Sequence, residues 1–173
     1  SFAVKTTPTD EALPCDAGAI GPRSDMTAIS GGGLPRFGFS GLGPLPGLAH
    51  AIFSRCGGVS RGRFSTLNVA FGVGDEPAAV RENRRRIQRT MGGMTPVFLR
   101  QCHGTRTVCI GGGAVDAPLE ADAVITDRPG LLLVVQVADC QAVVVHDPVR
   151  QVLANIHSGW RGSVGNIVGK TVA

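Results

Sequence analysis

The chain has 173 residues, 43% of them hydrophobic, enough for one domain with a real core. Its net charge of +4 permits an anionic small substrate but gives no ground for nucleic-acid binding. The five cysteines are odd in number and scattered, which points to reduced thiols rather than a disulfide framework. No apolar run reaches the length of a membrane span, and the opening Ser1-Phe2-Ala3-Val4-Lys5 has no secretory core, so a cytoplasmic protein is expected. Glycine is abundant at 25 residues and tyrosine is absent, which implies many turns and a core of small aliphatic side chains.

Residues 1–44 are rich in proline and glycine and hold no helical or strand period, so they read as an irregular N-terminal extension. Ala49–Ser54 is a short strand running into the glycine turn of Arg55-Cys56-Gly57-Gly58. Asp75 is placed as an N-cap with Pro77 in the first turn of a helix over 76–91, closed by Gly92-Gly93. Val80, Ile87 and Met91 form its apolar stripe. Its five arginines (81, 84, 85, 86 and 89) read as a solvated face, since no aromatic platform for stacking bases accompanies them. Pro96–Leu99, Arg106–Ile110 and Ala121–Thr126 follow as strands, and the almost wholly apolar Leu131–Val137 as a strand buried on both faces. Gln141–His146 and Gln151–Ile156 form a hairpin around Pro148, and 163–173 has helical spacing. The expected fold is a single α/β (α+β) domain over 45–173: a mixed, largely antiparallel sheet containing 131–137, 141–146 and 151–156, flanked by helices.

If the hairpin is symmetric about Pro148-Val149, Asp147 faces Arg150 and Cys140 faces His157. Opposed residues share a face with Cβ atoms about 4.5–5.5 Å apart. Of the four histidines, His50 precedes a strand and His146 abuts the turn. His103 stands in Gln101-Cys102-His103-Gly104, where glycine admits close approach. His103, Cys140 and His157 could hold a zinc ion with an open fourth position. Cys140 could equally be a nucleophile with His157 as its base, oriented by Asp139 or a carbonyl. A buried, inert thiol beside a packed imidazole is the third reading. Arg55 and Arg161, in glycine-rich turns, could grip phosphate or carboxylate, or pair with Asp75 or Asp139. Trp160 reads as a core indole more readily than as a stacking platform.

Seven blocks occur in the order found in the bacterial laccase-domain family, also called polyphenol oxidases or purine nucleoside phosphorylases. They are Arg55-Cys-Gly-Gly-Val-Ser60, Ser65-Thr-Leu-Asn68, Gly72-Val-Gly-Asp75, Gln101-Cys-His-Gly104, Ala121-Asp-Ala123, Ala138-Asp-Cys140 and His157-Ser-Gly-Trp-Arg-Gly162. The chain resembles this family over about residues 45–173. The resemblance implies an α/β fold and a metal site on His103, Cys140 and His157, usually assigned as zinc. It implies phosphorolysis of adenosine, inosine, guanosine and methylthioadenosine, with adenosine deamination beside it. Purine nucleoside and phosphate would be the partners, with no nucleic acid or membrane and with homo-oligomerisation open. Arg55 and Asn68 fall in blocks that line the family's pocket; Arg161 is the further candidate for phosphate and Asp139 for a general acid. Cys102, Val137 and Ser158 depart from the usual family residues. The family also continues well past this point, so the chain is expected to lack the C-terminal part of the domain.

Three alternatives stand beside this. One is a copper-dependent polyphenol oxidase, although four histidines cannot supply the blue-copper site and histidine-rich cluster of a multicopper enzyme. The others are a Cys–His hydrolase and an inactive chain acting as an interaction module.

Overall fold

The computed structural model describes residues 25–29, 31–111 and 119–173, and the backbone of 2–4. Among these lie eleven strands and three α-helices: β1 (Phe2–Val4), β2 (Met26–Ala28), β3 (Arg36–Phe39), β4 (Ile52–Phe53), α1 (Pro77–Thr90), β5 (Thr95–Arg100), β6 (Thr107–Ile110), β7 (Leu119–Glu120), β8 (Ala123–Thr126), β9 (Leu131–Val137), β10 (Gln141–Asp147), β11 (Val152–Ser158), α2 (Trp160–Val164) and α3 (Ile167–Val172). The fold is mixed α/β. The chain divides into two compact units, one over Ala3–Gly93 and one carrying Met94–Ala173.

In the first unit, β2, β3 and β4 form an antiparallel ladder, Thr27 opposite Gly38 and Phe37 opposite Ile52. The expectation of an irregular segment over 1–44 therefore gives way at 26–28 and 36–39. These strands are too short to show a period of their own, and pairing supplies what local pattern does not. Residues 5–24, with Cys15, lie outside the described residues. His50 is buried, accepts a hydrogen bond from the Phe39 amide through Nε2 at 2.7 Å, and stacks on the Phe39 ring.

Helix α1 starts at Pro77, whose missing N–H costs nothing at a first-turn position. Val80, Ile87 and Met91 are buried as the spacing predicts. Asn83 shares that stripe and is fully buried, an exception the apolar reading passes over. Its Nδ2 donates to Ser60 Oγ (2.8 Å) and Asn68 O (2.7 Å), and its Oδ1 accepts from the Val59 amide (2.8 Å). Asp75 is not the cap. Glu76 holds that position, and Asp75 instead accepts from Ser60 Oγ at 2.7 Å and Asn68 Nδ2 at 2.9 Å. On the outer face Glu82 pairs with Arg85, Arg86 and Arg89, as a solvated face would. Arg84 turns inward: its Nε donates to Val69 O, its guanidinium lies 4.5 Å over the Phe71 ring, and burial lowers its pKa to about 10.

The second unit holds two sheets. Strand β9 pairs β5, and β5 pairs β7, all parallel. The other sheet has the order β10-β11-β8-β6, antiparallel except for the β8–β6 pair. The expected single sheet is corrected here, because 131–137 pairs with β5 rather than with the hairpin. Leu132–Val135 are all buried, as a strand covered on both faces requires. Ala123 and Ile156 pack with Ile167 of α3 on one side of the four-stranded sheet, with Val143, Val145 and Val168 around them. On the other side Asn155 Nδ2 donates to Leu133 O of β9 at 2.9 Å. The expected helix 163–173 is two short helices. Asn166 adopts a left-handed conformation (φ 54°) between them, and its side chain accepts from the Gly169 amide, so it ends one helix and caps the next.

Candidate metal centre

The hairpin sets the site. Asp147 pairs with Val152, not Arg150, and Ala142, not Cys140, stands opposite His157. The turn chemistry explains the shift. Asp147 Oδ1 accepts from the amides of Val149 (2.9 Å) and Arg150 (3.0 Å), and Gln151 takes φ 55° with its side chain on Pro148 O. Residues 148–151 thus make a four-residue loop where symmetry about Pro148-Val149 predicts two. The slip is by two positions, and side chains alternate with period two, so Cys140 stays on the side of His157 as a diagonal neighbour within reach.

His103 arrives from the turn after β5 with φ 59°. Its ring meets that of His157 edge to face, centroids 4.8 Å apart. The ligand atoms of His103, Cys140 and His157 all lie within 4.8 Å of one another, and this is the one such group among the described residues. His157 is buried, Cys140 half-buried and His103 exposed, so the group opens to solvent on one side. The donor set suits a metal: two imidazoles and a thiol are the ligands of zinc or copper rather than of magnesium or calcium. The space fits as well. A Cβ built on Gly159 would stand 3.1 Å from His103 Cδ2, 3.3 Å from Cys140 Sγ and 3.8 Å from His157 Cε1, so only glycine leaves this cradle open.

Asp122 is the residue sequence reasoning missed. It is 0% exposed at the start of β8, beside His157 across the ladder. Its carbonyl accepts from the His157 amide at 2.7 Å, and its Oδ1 lies 2.8 Å from His157 Nδ1. The carboxylate also receives the amides of His103 (2.9 Å) and Gly104 (2.8 Å) and the Cys102 thiol (3.0 Å). Burial pushes its carboxyl up, but the bonds from Cys102, His157, Gly104 and His103 outweigh this and hold it below the ordinary value. The same hydrogen bond to Asp122 raises the Cys102 thiol. A charged residue flanked by Ala121 and Ala123 in a buried strand was the available signal, since buried charges are kept only where they are paired.

The other expected site residues are placed as follows. Asp139 is exposed, and the contact that orients His157 is made by Asp122. Arg161 is exposed, its guanidinium 5.2 Å from the Trp160 ring centroid. Trp160 is 72% exposed, so the expected core indole is corrected: α2 turns that face outward. Arg55 and Asn68 belong to the unit over 3–93. Arg55 is half-exposed. Asn68 is 1% exposed, and its amide is engaged with Ala70 and Asp75.

Residues 49–173 match the family model described as multi-copper polyphenol oxidoreductase laccase. The chain is 42% identical over 135 residues to the purine nucleoside phosphorylase ORF3 of Streptomyces griseus, covering 75% of this chain and 54% of that protein. It is 39% identical over 133 residues to a purine nucleoside phosphorylase of Deinococcus radiodurans, covering 73% and 50%. Among solved structures, YlmD from Geobacillus stearothermophilus superposes with a TM-score of 0.69 at 31% identity, covering 82% of this chain and 55% of that one. A Neisseria meningitidis protein does so with a TM-score of 0.65 at 35% identity, covering 70% and 50%. The chain spans about half the length of the curated relatives it matches. No helix among the described residues is long and apolar enough to cross a membrane. The ordered blocks, the mixed α/β fold and these matches agree, and the chain belongs to the laccase-domain family whose curated relatives here are named purine nucleoside phosphorylases.

Proposed function

We propose that this chain carries the metal centre of a purine nucleoside phosphorylase, with zinc held by His103, Cys140 and His157 and with adenosine deamination as a side activity. The supporting observation is the convergence of those three side chains to within 4.8 Å in a chain whose curated relatives bear that name. When bound, zinc supplies Lewis-acid charge that polarises an oxygen or lowers the pKa of water.

In phosphorolysis a phosphate oxygen bonds to C1′ of the ribose, the C1′–N9 bond breaks, and its electron pair leaves with the purine, which takes up a proton. Arg161, exposed two residues after Gly159, would hold the phosphate with its planar fork. Arg55 is the second phosphate candidate, on its family block alone. Asp139, exposed beside Cys140, would give the proton to the departing purine, or to ammonia in deamination. Asn68 would contact the nucleoside, on its family block alone, with its side chain held by Ala70 and Asp75.

Incubation of the purified, zinc-loaded protein with adenosine and phosphate tests this by chromatography. Adenine with ribose 1-phosphate is expected, with a smaller yield of inosine. Absence of adenine, inosine and hypoxanthine from well-folded protein overturns the reading. Copper is the second metal, favoured by the description of the matched family model. Elemental analysis of protein purified without added metal separates the two. A metal-free protein whose Cys140 alkylates rapidly would instead support the Cys–His nucleophile.

A further inference from the structure

His157 can offer Nε2 to a metal only when its proton sits on Nδ1. The group facing Nδ1 is Asp122, 2.8 Å away, with the two side chains 2% and 0% exposed. An ionised carboxylate accepts hydrogen bonds and cannot donate them, so Nδ1 must carry a proton, and in the neutral imidazole Nε2 is then the bare nitrogen.

The same carboxylate reaches a second ligand through the backbone. Its Oδ1 takes the His103 amide and its Oδ2 the Gly104 amide, with the Cys102 thiol also on Oδ2. His103 stands at φ 59°, a conformation unfavourable to a residue with a Cβ. Adjacent amides anchored on one buried carboxylate give that turn a reason to persist.

We propose that Asp122 is the positioning residue of the centre: one carboxylate fixes the tautomer of His157 and the backbone of His103, so two of the three ligands depend on it. This rests on the metal reading above. It predicts that the neutral isostere fails. In Asp122→Asn only one of the two oxygens remains. If that oxygen stays at the Oδ1 position, the new NH2 confronts the Gly104 amide and the turn loosens. If it moves to the Oδ2 position, the NH2 confronts the His103 amide and faces His157 Nδ1, and the imidazole must move its proton to Nε2. Both arrangements damage the centre while side-chain volume is kept.

The test has two parts. In the metal-free parent protein, 15N chemical shifts of His157 should show Nδ1 protonated and Nε2 bare; the reverse tautomer overturns the proposal with no variant needed. In D122N, zinc affinity measured against a competing chelator should fall by about 10–100-fold. With it should come either the opposite His157 tautomer or displaced amide resonances at 103 and 104. Affinity within about threefold of the parent, or a loss with all of those resonances unmoved, overturns it. If D122N does not fold, the parent's tautomer decides. If the parent binds no zinc at a micromolar level, the metal reading fails, while the tautomer still tests the role of Asp122 by itself.

Discussion

A methyl carbon placed on Gly159 would stand 3.3 Å from the Cys140 sulfur and 3.1 Å from Cδ2 of His103. The backbone there has φ −72°, which any residue adopts, so Gly159→Ala should fold normally. Its methyl group occupies the space between the ligands, and metal affinity should drop by about tenfold or more, comparable to other outer-shell changes. Zinc competition titrations on G159A and the parent check this, and equal affinities would show that the metal does not bind in that cradle.

His157→Ala should lose metal and activity together. It also removes one partner of a buried carboxylate, which should cost about 1–3 kcal/mol of stability beyond any contribution from bound metal. Denaturant unfolding of the metal-free proteins isolates that term. A folded variant that keeps one full zinc would mean the ligand set is wrong.

Asn83→Ala probes the other unit. It removes the partner of the part-buried Val59 amide and of the buried Asn68 carbonyl, while Ser60 keeps its bond to Asp75. The expected loss is at least about 1–3 kcal/mol, with the metal centre's donor set unchanged. Equilibrium unfolding showing a loss under roughly 0.5 kcal/mol, the range of an ordinary surface change, would contradict it.

The hairpin turn should be acid-sensitive. The Arg150 amide, and then the Val149 amide, hold the Asp147 carboxyl below its ordinary value of 3.8. A carboxyl depressed by folding stabilises the native state above its unfolded pKa, and that contribution disappears as pH falls through the folded value. The turn should therefore stay closed at neutral pH and loosen only below about pH 4. A carboxyl-carbon titration by NMR with a midpoint at or above 3.8 would break the account.

Elements with strong local signals were legible in the sequence: the α1 stripe of Val80, Ile87 and Met91, the buried strand at 131–137, and both strands of the hairpin. So were the three candidate ligands, by family resemblance; the register that also pointed to them was off by two positions. What was not legible depends on which strands meet. Nothing local to Leu131–Val137 says that it pairs with β5, and nothing local to Asp122 says that β8 brings it beside His157. The loop at 148–151 hides its length in a side-chain-to-backbone bond from Asp147 that outcompetes the simpler turn. Asn166 breaks a helix whose apolar spacing reads straight through it, because spacing carries no information about a left-handed residue.

The evenness of the hairpin's displacement bears on how the chain reaches its native state. Pairings of β10 and β11 that differ by two positions all leave His157 on the face it shares with Asn155. Pairings that differ by one turn it toward Ala123 and Ile167 and carry Ile156 away from them, because adjacent residues of a strand point to opposite faces. Misregistered hairpins therefore sort into two kinds during folding. The even ones already carry the ligand on its working side. The odd ones place a polar ring on the aliphatic side and are the less stable kind.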